Sequence, residues 1–194
     1  MNETLELLST RRAVAPRLLT QPAPTEAEIE ALLTIASRVP DHGRLVPWRF
    51  IVIDSAGAGR IGEVIARAFV EDNPEADADR VATERNRLAR APLVVAVVSR
   101  ARPHAKIPEA EQLLSTGAAC MNLVLGANAM GYATNWLTEW YAYDRRVLAE
   151  LGLAPDETIA GFIHIGTPAE ASTERPRPTL DDIVTRYGSE SGQA

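Results

Sequence analysis

Cysteine and histidine are scarce in this sequence. A single cysteine, Cys120, and three histidines occur in 194 residues. One cysteine excludes an intrachain disulfide and any zinc or iron–sulfur site built from several thiolates. The histidines lie far apart, and the chain has no H-E-x-x-H, G-x-S-x-G or P-loop pattern. We therefore expect no metal site, no nucleophile elbow of a serine hydrolase and no P-loop.

Basic charge is in deficit, with 20 lysines and arginines against 26 acidic residues and a formal net charge of −6. A general nucleic-acid binder needs a basic face to neutralise phosphates, so this balance argues against one. Long apolar runs are also missing. The longest, around Gly117–Met130, contains Asn122 and Asn128, and the first residues lack the apolar core of a signal peptide. We expect a soluble, cytoplasmic protein that binds neither nucleic acid nor membrane.

The length predicts one domain over residues 1–194, with residues 170–194 as an extended C-terminal tail. Short apolar runs predict four strands, at Trp48–Ile53, Leu93–Val98, Tyr132–Trp136 and Ile159–Ile165. Helical patterns lie between these strands, and this interleaving favours a three-layer α+β fold.

Two helical segments carry most of the packing argument. Thr25 and Glu28 form a capping box at the start of a helix that stops before Pro40. The longest helical pattern starts at Pro108 and should lie at the centre of the packing, because its middle is apolar nearly all round. Residues 71–90, rich in acids and arginines, are interpreted as a solvated flap or polar helix outside the core.

A glycine-rich motif offers one functional hypothesis. The stretch Gly57–Gly62 is a G-x-G-x-x-G pattern between a predicted strand and a predicted helix, as in dinucleotide-binding Rossmann folds. That fold also needs an acidic residue about 20 positions later, at the end of a second strand. The second strand ends here at Arg100, which could read a 2′-phosphate instead. A glycine turn without a ligand is the simpler interpretation, and the Rossmann hypothesis stays open as an alternative.

Clusters of charged and polar residues offer another functional hypothesis. Arg11 and Arg12 form a doublet at the end of the first helix, and a second basic doublet, Arg175 and Arg177, lies in the proline-rich tail. Guanidinium groups bind phosphate bidentately, so the two doublets together could make an anion cradle. A breaker-rich loop also places His42 among arginines, where a functional histidine is more plausible than at either of the other two positions.

Taken in order, these motifs resemble the FMN-dependent nitroreductase family, specifically its small single-domain members. The resemblance covers nearly the whole chain through the segments LLSTRRAV, RVPDHGRLVPWRFIVI, APLVVAVV, STGAA, GYATNWLT and GFIHIGTP, followed by the basic, proline-rich tail. It implies a three-layer nitroreductase-like α+β fold whose mixed central sheet is flanked by helices. It also implies a homodimer in which each C-terminal tail embraces the other subunit, with FMN at the interface.

The resemblance assigns cofactor-binding residues one by one. It places Arg11, Arg12 and Ala13 at the phosphate and ribityl chain of FMN, and Arg38 and His42 at the flavin across the subunit boundary. It places Trp136, Leu137 and Thr138 beside the isoalloxazine, and Arg175 and Arg177 near the phosphate. Three positions depart from the family pattern: Ala13 replaces a serine, Leu137 an arginine, and Val46 an asparagine or glutamine.

The implied activity is transfer of hydride from NADH or NADPH, through FMN, to a nitroaromatic, a quinone or a related electron-poor acceptor with ping-pong kinetics. The cofactor supplies the chemistry, so no catalytic side chain is assigned. Two alternatives remain: the Rossmann-type protein, and a flavin-binding dimer without catalytic activity, which the changes at Ala13 and Leu137 make conceivable.

Overall fold

The computed structural model describes residues 2–188. Its α-helices are α1 (Glu3–Thr10), α2 (Glu26–Ala36), α3 (Ser55–Asp72), α4 (Ala78–Arg85), α5 (Glu109–Ala129), α6 (Arg145–Glu150) and α7 (Leu180–Ile183). Its strands are β1 (Leu19–Thr20), β2 (Trp48–Ile53), β3 (Leu93–Ser99), β4 (Ala133–Leu137) and β5 (Thr158–Pro168). Within residues 2–188, no helix has the length and apolar content needed to cross a membrane.

All five strands form one antiparallel sheet in the order β1-β5-β3-β2, and β4 also pairs with β5. The expectation of a mixed sheet is therefore not met in the part of the chain that the structure describes. Ala13 and Thr134 form an isolated parallel bridge in that part, outside the five strands. The α+β class itself is confirmed.

Helices cover both faces of this sheet, which gives the predicted three layers. Strand β3 is buried along its whole length, and its side chains alternate between two cores. Val94, Ala96 and Val98 pack with α3 and α6, whereas Val95 and Val97 pack with α2 and α5. Burial on both faces explains why this strand is continuously apolar in the sequence.

Helix α5 is the main helix of the second core. Its buried face includes Cys120, Leu123 and Ala127, while Leu113 and Leu114 near its start are 52% and 74% exposed. Burial raises the pKa of the Cys120 thiol to about 12, so the thiol is protonated and unreactive at neutral pH. The cysteine is therefore a packing residue.

The glycine-rich motif does not form a phosphate-binding turn. Gly57–Gly62 lies inside α3, which begins after Asp54, whose carboxylate accepts a hydrogen bond from the N–H of Gly57 (2.6 Å). The flanking strands β2 and β3 pair antiparallel, whereas a Rossmann unit requires parallel strands joined by the helix. The interpretation of the motif as a turn was wrong, and the fold excludes the Rossmann alternative.

One further sequence interpretation needs correction, that of residues 71–90 as a flap or polar helix outside the core. Residues 71–90 include α4 and a single 3-10 turn, Leu88–Arg90. Glu84 in the helix and Leu88 in the turn are both fully buried. The segment is therefore part of the packed structure. The tail is mostly irregular and exposed up to residue 188, but Thr179 and Asp182 form a capping box that begins the one-turn helix α7. The remaining tail residues, 189–194, lie outside the described part of the chain.

We expect Gly62→Ala to lower the free energy of unfolding by about 1–3 kcal/mol, because an added methyl group would overlap the backbone oxygen of Arg85 and push α3 away from α4. Gly59→Ala in the same helix is the matched control. A methyl group there meets none of the described atoms within 4 Å, so better helix propensity should leave stability unchanged or raise it by about 0.5–1 kcal/mol. Urea denaturation of both variants measures this, and equal effects would contradict the packing argument.

Candidate functional site

Arg12 binds the C-terminal tail. Its Nε donates a hydrogen bond to the backbone oxygen of Thr173 (3.0 Å) and lies 3.8 Å from Oε1 of Glu174. The same carboxylate oxygen accepts a hydrogen bond from the backbone N–H of Arg175 (2.8 Å) and lies 3.6 Å from Nε of Arg177. We call Arg12, Glu174, Arg175 and Arg177 the anion cradle, because three donors surround one anionic oxygen. The N–H of Arg175 lowers the pKa of Glu174, and the charges of the two arginines add to this.

Local structure explains why Arg12 reaches the tail. Helix α1 ends at Arg11, whose backbone N–H donates to the oxygen of Leu7 (2.9 Å), and the chain then becomes extended. The extended residues 12–15 and the tail residues 170–173 line a cleft of about 210 Å³, together with Arg175. The side chain of Arg12 is only 13% exposed at this cleft, while Arg11 is half-buried at the helix end.

The extended residues after the doublet are also hydrogen-bonded to β4. Ala13 forms the bridge to Thr134, and the N–H of Val14 donates to the oxygen of Thr134 (3.0 Å). The side-chain amide of Asn135 donates back to the oxygen of Val14 (2.8 Å). The anion cradle and β4 therefore form one continuous surface.

Strand β4 ends in the predicted flavin-facing segment. Trp136 lies across Gly161, where a side chain would collide with the indole, and its Nε1 donates to the oxygen of Ala160 (3.0 Å). The ring remains 40% exposed. Leu137 pairs with Phe162 at the end of the ladder, and Thr138 follows directly. A fixed, half-exposed indole on the sheet surface is suited to stacking against a planar ligand.

Arg38 and His42 lie elsewhere, against α5. The oxygen of Arg38 accepts a hydrogen bond from the side chain of Asn122 (3.0 Å), and Nδ1 of His42 lies 2.7 Å from Oε2 of Glu111. Ser115 holds the same loop by donating to the oxygen of Pro40 (2.6 Å).

The structure thus brings Arg12, Ala13, Arg175 and Arg177 together next to β4, and it places Arg38 and His42 on another surface of the same chain. This division is the one that a site shared between two subunits would have. The roles of all ten residues as flavin ligands remain predictions, among them that of Arg11, whose side chain is not part of the cradle.

Sequence reasoning missed a network of charged side chains directly after Thr138. The carboxylate of Glu139 binds Arg90 in an ion pair, Nη1 of Arg87 (2.9 Å) and the hydroxyl of Tyr141 (2.7 Å). Burial alone would raise the pKa of Glu139, but the hydrogen bonds from Arg90 and Tyr141 keep it lowered. Arg87 also binds Glu84 on α4. The network connects α4 to the end of β4. No local motif reveals it, because Glu139 is separated from Arg87 by 52 residues and from Arg90 by 49.

His164 on β5 lies close to this network and is fully buried. Neither ring nitrogen has a hydrogen-bond partner of good geometry among residues 2–188. Burial, and then the positive charge of Arg90, lower the pKa of His164 to about 4. The imidazole is therefore neutral at pH 7 and adds no charge to the network.

Sequence comparison places the chain among known proteins. The profile of the Nitroreductase family matches residues 8–167. The chain is 32% identical over 186 residues to a protein of Escherichia coli K12 named "Putative NAD(P)H nitroreductase YdjA", covering 95% of this chain and all of that protein. A similarly named protein of Haemophilus influenzae is also 32% identical, with 94% of this chain and 98% of that protein covered.

Solved structures show the same fold. A nitroreductase-like family protein from Bacillus cereus superposes with a TM-score of 0.84 at 22% identity, covering 97% of each chain. A nitroreductase with bound FMN from Bacteroides fragilis superposes with a TM-score of 0.68 at 20% identity, covering 96% of this chain and 99% of the other. With a family match over most of its length and this fold, the chain belongs to the nitroreductase family.

Proposed function

We propose that the protein is an FMN-dependent oxidoreductase. It takes reducing equivalents from NADH or NADPH and delivers them to a nitroaromatic, a quinone or a related electron-poor acceptor. The observation that carries this proposal is the anion cradle beside β4, where two guanidinium groups and a backbone N–H converge on a single oxygen. The names of the relatives, which mention NAD(P)H, and the FMN bound by the Bacteroides fragilis protein support it.

The residues of the cradle fit the phosphate of FMN. Glu174 supplies an anionic oxygen between Arg12 and Arg177, and its side chain is 65% exposed. A phosphate dianion carries more charge than this carboxylate and accepts bidentate hydrogen bonds from guanidinium groups. Phosphate can therefore take the place of Glu174, whose exposed side chain is free to turn towards solvent.

The surface next to the cradle fits the rest of the cofactor. Ala13 offers backbone groups, and the exposed indole of Trp136 offers a planar apolar face. Bound FMN supplies hydride acceptance and donation. The chain binds and orients it, and the Glu139 network fixes the end of β4 so that Leu137 and Thr138 keep their place.

We further propose that two chains form a homodimer in which each tail embraces the other subunit. Large apolar side chains are exposed on α5 and in the tail: Leu113, Leu114, Leu180, Ile183, Val184 and Tyr187. A second chain would cover such a surface. It would also bring Arg38 and His42 of one subunit to the cradle and β4 of the other, which completes the site that a single chain divides.

Alanine variants test the cradle. We expect Arg12→Ala, in the cradle, to weaken FMN binding about ten- to a hundredfold, because it removes a charge-assisted contact worth about 1.5–3 kcal/mol. Arg11→Ala tests the separate prediction, made from the family resemblance, that Arg11 also contacts the phosphate, and a loss of the same size is expected there. Arg60→Ala, an exposed arginine of the glycine-rich motif on α3, is the control and should leave the affinity unchanged. Titration of apoprotein with FMN, followed by flavin fluorescence, measures all three. Loss of flavin from Arg60→Ala alone would show that the cradle is not the phosphate site.

Steady-state kinetics test the activity. One cleft over one flavin face should hold nicotinamide and acceptor in turn, so initial-rate lines for the two substrates are expected to be parallel. Intersecting lines would show that both are bound at once. Anaerobic addition of NADH or NADPH should bleach the flavin absorbance, whereas flavin that neither nucleotide reduces would favour the non-catalytic dimer.

Tail variants test the shared site. Removing the tail from Glu174 onwards should loosen the dimer and release FMN together, because apolar contacts and two cradle arginines are lost at once. The double variant Arg175→Ala/Arg177→Ala keeps the apolar part of the tail, so it should weaken FMN binding while the dimer persists. If both subunits build the site, FMN binds the dimer in preference to the monomer. Adding FMN should therefore stabilise the dimer by mass action. Sedimentation velocity with detection at the flavin absorbance distinguishes these outcomes, and a monomer with full FMN occupancy would contradict a shared site.

A further inference from the structure

Two loops near the start of α5 are locked together. The first is His42–Val46 and the second is residues 100–107; we call them the cationic loops. Gly43, with a φ of 72°, packs so closely against Ile107 of the second loop that a side chain at position 43 would collide with it. The buried side chain of Gln112 accepts a hydrogen bond from the N–H of Arg102 (3.1 Å) and donates to the oxygen of Arg102 (2.8 Å).

The first loop is held in an unfavourable backbone conformation. Arg44 and Val46 have φ values of 55° and 47°, in the left-handed region that residues with a side chain rarely adopt. The carboxylate of Asp41 maintains this conformation by accepting hydrogen bonds from the N–H groups of Leu45 (3.0 Å) and Val46 (2.9 Å). Backbone strain that the surrounding structure holds in place in this way is found mainly at functional sites, including binding sites.

Unpaired positive charge gathers on these loops. Arg44, Arg102 and Lys106 are exposed, and no carboxylate of residues 2–188 forms an ion pair with them. His104 is exposed beside them, and its Nδ1 accepts hydrogen bonds from the N–H groups of Lys106 and Ile107, so its Nε2 carries a proton. In a chain with a net charge of −6, this concentration of unpaired cations marks a surface for an anionic ligand.

A cleft of about 330 Å³ lies between the loops. Arg100, Arg102 and His104 line it together with the carboxylates of Asp156 and Glu157. Glu157 is already neutralised, since it forms ion pairs with Arg49 (2.7 Å) and Arg100 (2.9 Å). These arginines keep the pKa of Glu157 at about 2, mainly through the hydrogen bond from Arg49. The two arginines leave the Glu157 cluster with a net positive charge, and the charge of Arg102 offsets that of Asp156, so the cleft keeps a net positive charge.

The position of the cleft indicates which anion it takes. His42 belongs to the first loop, and in the proposed dimer this residue reaches the flavin of the other subunit, which puts the cationic loops next to that flavin. Electron-poor acceptors such as quinones carry no phosphate, whereas the nucleotide donors do. Resting on the proposed function, we propose that the cationic loops bind the 2′-phosphate of NADPH and make NADPH the preferred donor. A phosphate monoester carries a charge of about −1.5 to −2 at pH 7, which suits Arg102 in the cleft together with Arg44 and Lys106 elsewhere on the same two loops.

Charge-removing substitutions on the loops test this. In the FMN-loaded protein, Arg102→Gln/Lys106→Gln should lower kcat/KM for NADPH about tenfold or more, because two contacts to a dianion are lost. The value for NADH, which lacks the 2′-phosphate, should change less than about twofold. The matched control is Arg60→Gln/Arg67→Gln, which removes the same charge from exposed positions on α3 and should change neither value. The single variant Arg102→Lys keeps the charge and should retain most of the preference for NADPH.

Calorimetry with nucleotide fragments gives a readout that does not depend on turnover. The FMN-loaded protein should bind 2′,5′-ADP about tenfold or more tightly than 5′-ADP, and the loop variant should lose this difference. Equal falls in kcat/KM for both donors, or equal affinities for the two fragments, would overturn the assignment of the 2′-phosphate. Failure of the proposed function would be seen differently, as protein that retains no FMN or whose flavin neither NADH nor NADPH reduces.

Discussion

Strand β5 hydrogen-bonds along both of its edges, and the position of the candidate site depends on that pairing. Along residues 162–165 it binds β3 on one edge and β4 on the other, and its last two residues bind β1. The end of β5 leads directly into the tail that carries the cradle arginines, while β4 carries Trp136 to the same edge. Because each ladder is antiparallel, the register of one long buried strand determines where both halves of this surface lie.

Buried charge keeps the end of β4 in place. Glu84 and Glu139 each bind guanidinium groups, and desolvating such pairs offsets much of the Coulomb energy that they gain. Their contribution is therefore geometric specificity more than stability: loss of one partner would leave an uncompensated charge in the interior. Uncharged His164 beside them is consistent with this, since a further cation next to Arg87 and Arg90 would be unfavourable.

How much of this could be predicted depended on whether the determining contacts are local. The capping box of Thr25 and Glu28 is found as predicted, because both hydrogen bonds form within one helical turn. Strand β2 has the predicted bounds, since its apolar residues are flanked by clear breaking signals. Gly57–Gly62 misled because its glycines suggest a turn, yet Ile61 and Ile65 anchor the segment as a helix on the sheet. Glu84 pairs locally with Arg80 and Arg87, but its contact with Trp140, 56 residues away, is one that no local pattern reports.

Whether a residue acts through its backbone or through its side chain decides which departures from the family pattern the proposed site can tolerate. Ala13 contributes through its backbone bridge to Thr134, so replacement of a serine there removes a hydroxyl but leaves the extended chain in place. Leu137 is held by its ladder pairing with Phe162, which is likewise independent of its side chain. A backbone N–H binds a phosphate less strongly than a charged guanidinium group does. Substitution of the arginines of the cradle is therefore expected to change binding most. In the proposed site, main-chain atoms would position the ring and side chains would hold the anion, so the departures at Ala13 and Leu137 fall where a side chain matters least.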